Sequence, residues 1–168
     1  MTDPKHIVRT SAVDWPSIQR TRHPFNPMSD MRVEELGDQV GMQRLGVNLT
    51  RIPPGKQSYI PHAHSVEEEF VFVLSGAGEV VLDGVAHRVG PGDFIGFPTD
   101  GVAHHFVSVG PDDLVYLNGG ERSPVEVTDL PSIGKTLVFR NKVVTLFGAD
   151  GGEAMSAAEW LARSAIED

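Results

Sequence analysis

Residues 69–89 read EFVFVLSGAGEVVLDGVAHRV. The stretch is rich in Val, Phe and Leu and is broken twice, at Ser75-Gly-Ala-Gly78 and at Asp83-Gly84. Asp-Gly between apolar runs is a strong local hairpin signal, because both central positions of a tight two-residue turn need positive φ. The pattern continues outward in both directions. Upstream, RLGVNLTRIPPG (44–55) is a short strand-like run ending in a Pro-Pro-Gly turn. Downstream, turns at VGPGD (89–93) and TDG (99–101) set off FIGFP, VAHHFVSV and then DLVYLNGG (113–120). Short strands spaced by Gly-rich turns predict an all-β barrel or sandwich.

The flanks read differently. Residues 1–40 are polar and irregular, with prolines in TRHPFNPMSD that favour extended or turn backbone. They are expected to form an N-terminal arm with a few short strands, lying on the body or on a partner subunit. Residues 41–122 are expected to form the barrel core, and 123–168 peripheral strands, such as KTLVF and KVVTLF, and a short C-terminal helix of the same domain. In SAAEWLARSAIED, Ser156 and Glu159 have capping-box spacing, and Trp160, Leu161 and Ala165 fall on one apolar stripe.

Composition narrows the function classes. A chain of 168 residues suits one domain with a real core. The formal charge of −9 argues against nucleic acid and anionic membrane surfaces as partners. Without cysteine there are no disulfides, thiolate metal sites or cysteine nucleophiles, so any metal would be held by His, Asp or Glu. No segment approaches the ~20 apolar residues of a membrane span, nor does the N-terminus carry a signal-type apolar core. A soluble cytoplasmic protein is expected.

The chemistry concentrates just before the opening stretch, in PHAHSVEEE (61–69). On a strand, His62 and His64 project to one face and Ala63 to the other. Two neutral imidazoles side by side suit a divalent metal. Glu69 shares a face with Val71 and Val73, where a carboxylate is costly unless something positive neutralises it. Glu67 has the same parity but falls in the connecting turn; Glu68 is the second choice. A later pair, His104 and His105, is adjacent, so only one faces inward, and periodicity does not choose between them.

Together these residues resemble the cupin family of small double-stranded β-helix proteins. In the first motif, Gly55 is followed by six residues and His62-Ala63-His64, then four residues, Glu69, six residues and Gly76. The family spacing has one residue fewer after the first glycine. In the second, Gly92 is followed by five residues and Pro98, and Gly101 by two residues and His104. Here TDG carries one inserted residue, and Ser108 stands where the family has Asn. The resemblance spans roughly residues 46–118. It implies a cupin-type barrel in which His62, His64, Glu69 and His104 bind one divalent ion (Fe, Mn, Ni or Zn). The match selects Glu69 over its neighbours and His104 over His105. One or two coordination positions would remain for water or substrate.

Each ligating imidazole needs a partner on its second nitrogen, for which Ser58, Ser108 and backbone carbonyls are candidates. Ile60, Val71, Phe97 and Phe106 are expected near the ion. Arg44, Asn48 and Arg51 are candidates to orient an anionic substrate. His6, His23 and His87 have no motif partner and read as surface or incidental residues. Family members include dioxygenases, isomerases, decarboxylases and non-catalytic binders. The expected function is therefore a metal-dependent enzyme of dioxygenase or isomerase type on a small organic substrate. The alternative is a non-catalytic cupin binding a sugar or organic acid. The resemblance also implies a homodimer.

Overall fold

The structure is a computed structural model, and it describes residues 4–148 and 151–164. The arm contributes β1 (Arg20–Thr21) and β2 (Met31–Glu34), followed by one turn of helix, α1 (Leu36–Gln39). The barrel strands are β3 (Leu45–Ile52), β4 (Ala63–His64), β5 (Glu69–Ser75), β6 (Gly78–Leu82), β7 (Val85–Val89), β8 (Phe94–Phe97), β9 (His104–Ser108) and β10 (Leu114–Glu121). Beyond them run β11 (Val125–Leu130), β12 (Lys135–Arg140), β13 (Val143–Gly148), β14 (Gly151–Ser156) and α2 (Ala157–Ser164). The all-β expectation holds, and so does the short terminal helix.

One wall of the barrel is the sheet β1-β2-β3-β10-β5-β8. The other is built from β7-β6-β9 and from β14-β13-β12-β11-β4. The isolated bridge from His62, just ahead of β4, to His104 joins those two pieces along the edge of β9. Inward residues alternate along each strand. Ile52, Val71, Val73, Leu114 and Tyr116 of the first wall meet Val80 and Phe106 of the second in one buried cluster. A second cluster, Ile60, Leu130 and Leu146 with Phe25 and Leu137 against it, lies under the later strands.

The local signals in residues 69–89 act as the residues dictate. Asp83-Gly84 closes the β6–β7 hairpin, with Leu82 opposite Val85 and both turn residues at positive φ. The break at Gly76 is not a hairpin: β5 pairs with β10 and β8, whereas β6 pairs with β7 and β9, so the chain crosses between walls there. Gly76 has φ +82°, and a Cβ on it would lie 2.2 Å from the carbonyl oxygen of Asp113. Only glycine fits that crossing.

At the C-terminal end the capping box forms. The Ser156 N–H donates to Glu159 Oε2 at 2.7 Å, and the Glu159 N–H donates to Ser156 Oγ at 3.2 Å. The apolar stripe does not survive whole. Trp160 packs on His23 and Phe25, but Leu161 is exposed, and Ala165 lies outside the described residues. With eight residues and one contact face, α2 buries Trp160 alone of the pair.

Candidate metal centre

His62 immediately precedes β4 and His64 ends it; Glu69 opens β5 and His104 opens β9. The backbone brings them together first. The His62 N–H donates to the His104 carbonyl at 3.2 Å, and the His104 N–H donates back at 2.9 Å. Each side chain then offers one ligand atom, and the four lie within 4.8 Å of one another. Glu69 Oε2 sits 3.3 Å from His64 Nε2 and 3.4 Å from His104 Nε2. Gly120 on β10 lets it in, since a Cβ there would come within 2.9 Å of Glu69 Cγ.

Two of the three rings are held from behind through Nδ1. His62 Nδ1 is 2.8 Å from the Ile60 carbonyl, and His104 Nδ1 is 3.3 Å from the Val102 carbonyl. A neutral ring that donates from Nδ1 to a carbonyl leaves Nε2 bare as a metal ligand. Phe97 stacks on His104 at 3.6 Å between centroids, fixing that ring plane. His64 differs: its Nδ1 faces Glu126 Oε1 at 3.5 Å. Glu126, on β11, is 4% exposed and accepts from the Ser65 N–H at 3.0 Å and the Glu67 N–H at 2.8 Å. Both nitrogens of His64 are buried without a hydrogen bond. Three converging nitrogens, one carboxylate oxygen and a buried imidazole short of partners fit a divalent cation with N/O preference.

The electrostatics point the same way. Burial, with the His104 ring beside it, pushes His62 down to about 3, so the ring is neutral. Burial alone would raise Glu69, but its close contacts with the His104 and His64 rings outweigh it and hold the carboxylate low. For His64 burial acts downward, yet contact with Glu69 and the charges of Glu126 and Glu67 turn the net shift upward. A deprotonated acid among imidazoles is the state in which cations bind.

Rival residues fall away. Glu68 is exposed, and Glu67 turns back to accept from the Ser123 N–H. His105 is buried beside the cluster but outside the convergent set. Ser58 Oγ accepts from the Phe106 N–H rather than serving a histidine, and Ser108 Oγ is buried without a partner. Ile60, Val71, Phe97 and Phe106 are buried core residues, and Phe97 touches the cluster. Arg51 is paired with Asp113 and lies over Trp15, on the outward parity of β3, so it does not face the cluster. Arg44 is exposed; Asn48 shares the inward parity of Thr50, which bonds Asn118.

His6 and His87 are exposed as expected, but His23 is not incidental. It is 6% exposed, and its Nδ1 accepts from the Phe25 N–H at 3.3 Å. Burial lowers it to about 4, so the ring is neutral at physiological pH. With Tyr59, Trp160, Thr128, Leu130 and Leu137 it walls a cavity of about 260 Å³ whose floor is His62, His64 and Glu69. A smaller void of about 50 Å³ lies on the barrel side of the cluster, by Phe97, Tyr116 and Asn118.

Comparison with known proteins agrees with this architecture. The cupin domain model matches residues 48–119. A solved structure from Acidithiobacillus ferrooxidans, named provisionally as a sugar phosphate isomerase, is 32% identical, with 92% of this chain and 94% of that one covered at a TM-score of 0.78. A sugar phosphate isomerase from a cupin superfamily, from Silicibacter pomeroyi, is 29% identical over 87% of this chain and 92% of that one, TM-score 0.64. The polyketide cyclase of Streptomyces resistomycificus is 25% identical over 65% and 77%, TM-score 0.52. No curated protein matches the chain. The chain belongs to the cupin family.

Proposed function

We propose that His62, His64, Glu69 and His104 hold one divalent ion, Fe, Mn, Ni or Zn, and that the protein is a metal-dependent enzyme of isomerase type acting on a small sugar-like hydroxycarbonyl compound. One observation carries the reading: four ligand atoms lie within 4.8 Å of one another, and three of the residues that offer them, His62, His64 and Glu69, form the floor of a cavity large enough for a small molecule. Similarity over nearly the full length to a structure named as an isomerase supports isomerisation over dioxygen chemistry. When bound, the ion supplies Lewis-acid polarisation of a carbonyl or hydroxyl oxygen.

The chain's own residues do the rest. The carbonyls of Ile60 and Val102 hold the outer nitrogens of His62 and His104, so both rings present Nε2 to the centre. Glu126 faces the outer nitrogen of His64. Leu130, Leu137 and Trp160 exclude water from one side of the substrate, while the Thr128 hydroxyl and the His23 ring offer polar contacts on the same cavity wall.

The test has two stages. Protein purified without added metal is assayed for elements, with about one transition ion per chain expected. Aldose–ketose interconversion is then followed by NMR with and without chelator. Loss of turnover on chelation, restored by one metal, is expected. Stoichiometric metal without turnover would favour a binding protein; absence of metal from a folded sample would refute the reading.

A further inference from the structure

We infer that the ligand of the aromatic-walled cavity is an uncharged polyhydroxylated molecule, a sugar or sugar acid precursor without a phosphate group. This rests on the sugar-type substrate proposed above and names its charge class. Three cavities border the ligand cluster: the 260 Å³ chamber beneath Trp160, the 50 Å³ void inside the barrel, and an outer groove of about 570 Å³ along β5, β8 and β10. Among the described residues, neither Lys nor Arg lines any of them. None of the chain's residues outside the described range is Lys or Arg either.

Apart from the proposed ion itself, the side-chain charge around the cluster is acidic and does not favour a phosphate. Glu69 forms part of the chamber floor, Glu126 and Glu67 stand behind His64, and Glu68 and Glu121 line the outer groove. A phosphate dianion is normally met by Arg, Lys or free backbone N–H groups at a helix start. The nearest helix start, that of α2, is closed by its capping box and carries Glu159 in its first turn. Several arginines are committed elsewhere: Arg20 to Asp30, Arg51 to Asp113, Arg88 to Glu79 and Arg122 to Asp38.

What the chamber offers instead is a two-sided lining. Trp160 and Tyr59 both meet the His23 ring edge-on, at 5.4 and 6.0 Å between centroids, and Leu130 and Leu137 extend the apolar surface. Such faces take the C–H side of a sugar ring or chain. Thr128 and the neutral His23 ring supply uncharged polar contacts, and the metal-ligand floor takes oxygen atoms. At about 260 Å³ the chamber has room for a sugar-sized molecule.

Only two tryptophans occur in the chain, and Trp15 sits over Arg51 far from the chamber. A Trp15→Phe protein therefore reports on Trp160 alone. Its fluorescence is titrated with D-ribose and D-fructose and, separately, with ribose 5-phosphate and fructose 6-phosphate, and calorimetry on the parent protein repeats the comparison. Expected is a Trp160 response to at least one free sugar, with its phosphate ester bound about tenfold more weakly or worse. Tighter binding of the phosphate ester would overturn the inference, as would no response to either free sugar. Metal content is measured on the same samples. A metal-free protein that still prefers free sugars removes the metal reading and keeps this one; a metallated protein that prefers phosphate esters does the reverse.

Discussion

Replacing Glu126 with Gln tests whether the metal centre extends beyond the four converging residues. The Glu126 carboxylate is buried, accepts two backbone N–H groups and faces His64 Nδ1 at 3.5 Å. Gln keeps the shape and one acceptor oxygen but removes the charge that favours a proton on Nδ1 and a bare Nε2. Loss of an outer-shell partner of this type typically weakens metal binding 10–100-fold, or ~1.4–2.7 kcal/mol. One backbone N–H also loses its acceptor, at a cost of about 1–3 kcal/mol to the fold. The two effects separate experimentally. Competition with a metallochromic chelator gives affinity, and denaturant unfolding of the metal-free protein gives the structural cost. Glu121→Gln, which alters an exposed carboxylate bonded to the Glu68 N–H, serves as control. A Glu126→Gln protein whose affinity stays within about twofold of the parent, while the metal-free fold weakens, would refute the argument and reduce Glu126 to a loop anchor.

The remaining predictions concern ligands, pH, backbone and assembly. His104→Ala should lose most of its metal and His105→Ala should keep it, by elemental analysis; equal losses would contradict the geometry. His23 binds its proton less readily in the fold, at about 4 against 6.5 when unfolded, so its contribution is complete above pH 6.5 and lost as pH falls towards 4. That amounts to at most about 3 kcal/mol, and His23→Asn, which keeps an acceptor near Nδ1, should flatten the acid side of a stability–pH profile. Gly76→Ala combines ~1–2 kcal/mol of left-handed strain with a backbone clash and should lower the unfolding midpoint sharply; an unchanged midpoint would contradict the crossing geometry. The outer face of the first wall exposes Phe72, Leu74 and Phe94, the last 67% exposed, and a second copy of the chain is the expected cover. Light scattering should give a dimer that Phe94→Glu dissociates; a monomeric parent protein would refute it.

The barrel was legible because its signals are local. Asp83-Gly84 and the alternation of Val71 and Val73 each act within a few residues, whereas the need for glycine at Gly76 comes from the Asp113 carbonyl far along the chain. The histidine and glutamate positions were legible through motif spacing, and the choice between His104 and His105 needed that spacing because two adjacent imidazoles carry no parity signal. Glu126 had no such signal. In VEVTDL the hydrophobic alternation would turn Val125 and Val127 inward, yet Glu126, Thr128 and Leu130 are the buried set. The register with β4, Thr128 opposite His64, decides it, and a pairing across more than sixty residues leaves no local trace. His23 escaped for the same reason, since its burial depends on Trp160 at the far end of the chain.

The pairing of β4 with β11 has a consequence for how occupancy of the centre could be sensed at a distance. Ala63 and His64 pair with Asp129 and Thr128 of β11, and the neighbouring Ser65 N–H donates to the Val127 carbonyl, so this short segment ties the C-terminal sheet to the barrel. An ion fastening the His64 ring from one side and β11 hydrogen-bonding its backbone from the other would act like two rivets through the same plate. Amide exchange along residues 125–130 should then slow when the centre is filled, although none of those residues is among the four that converge.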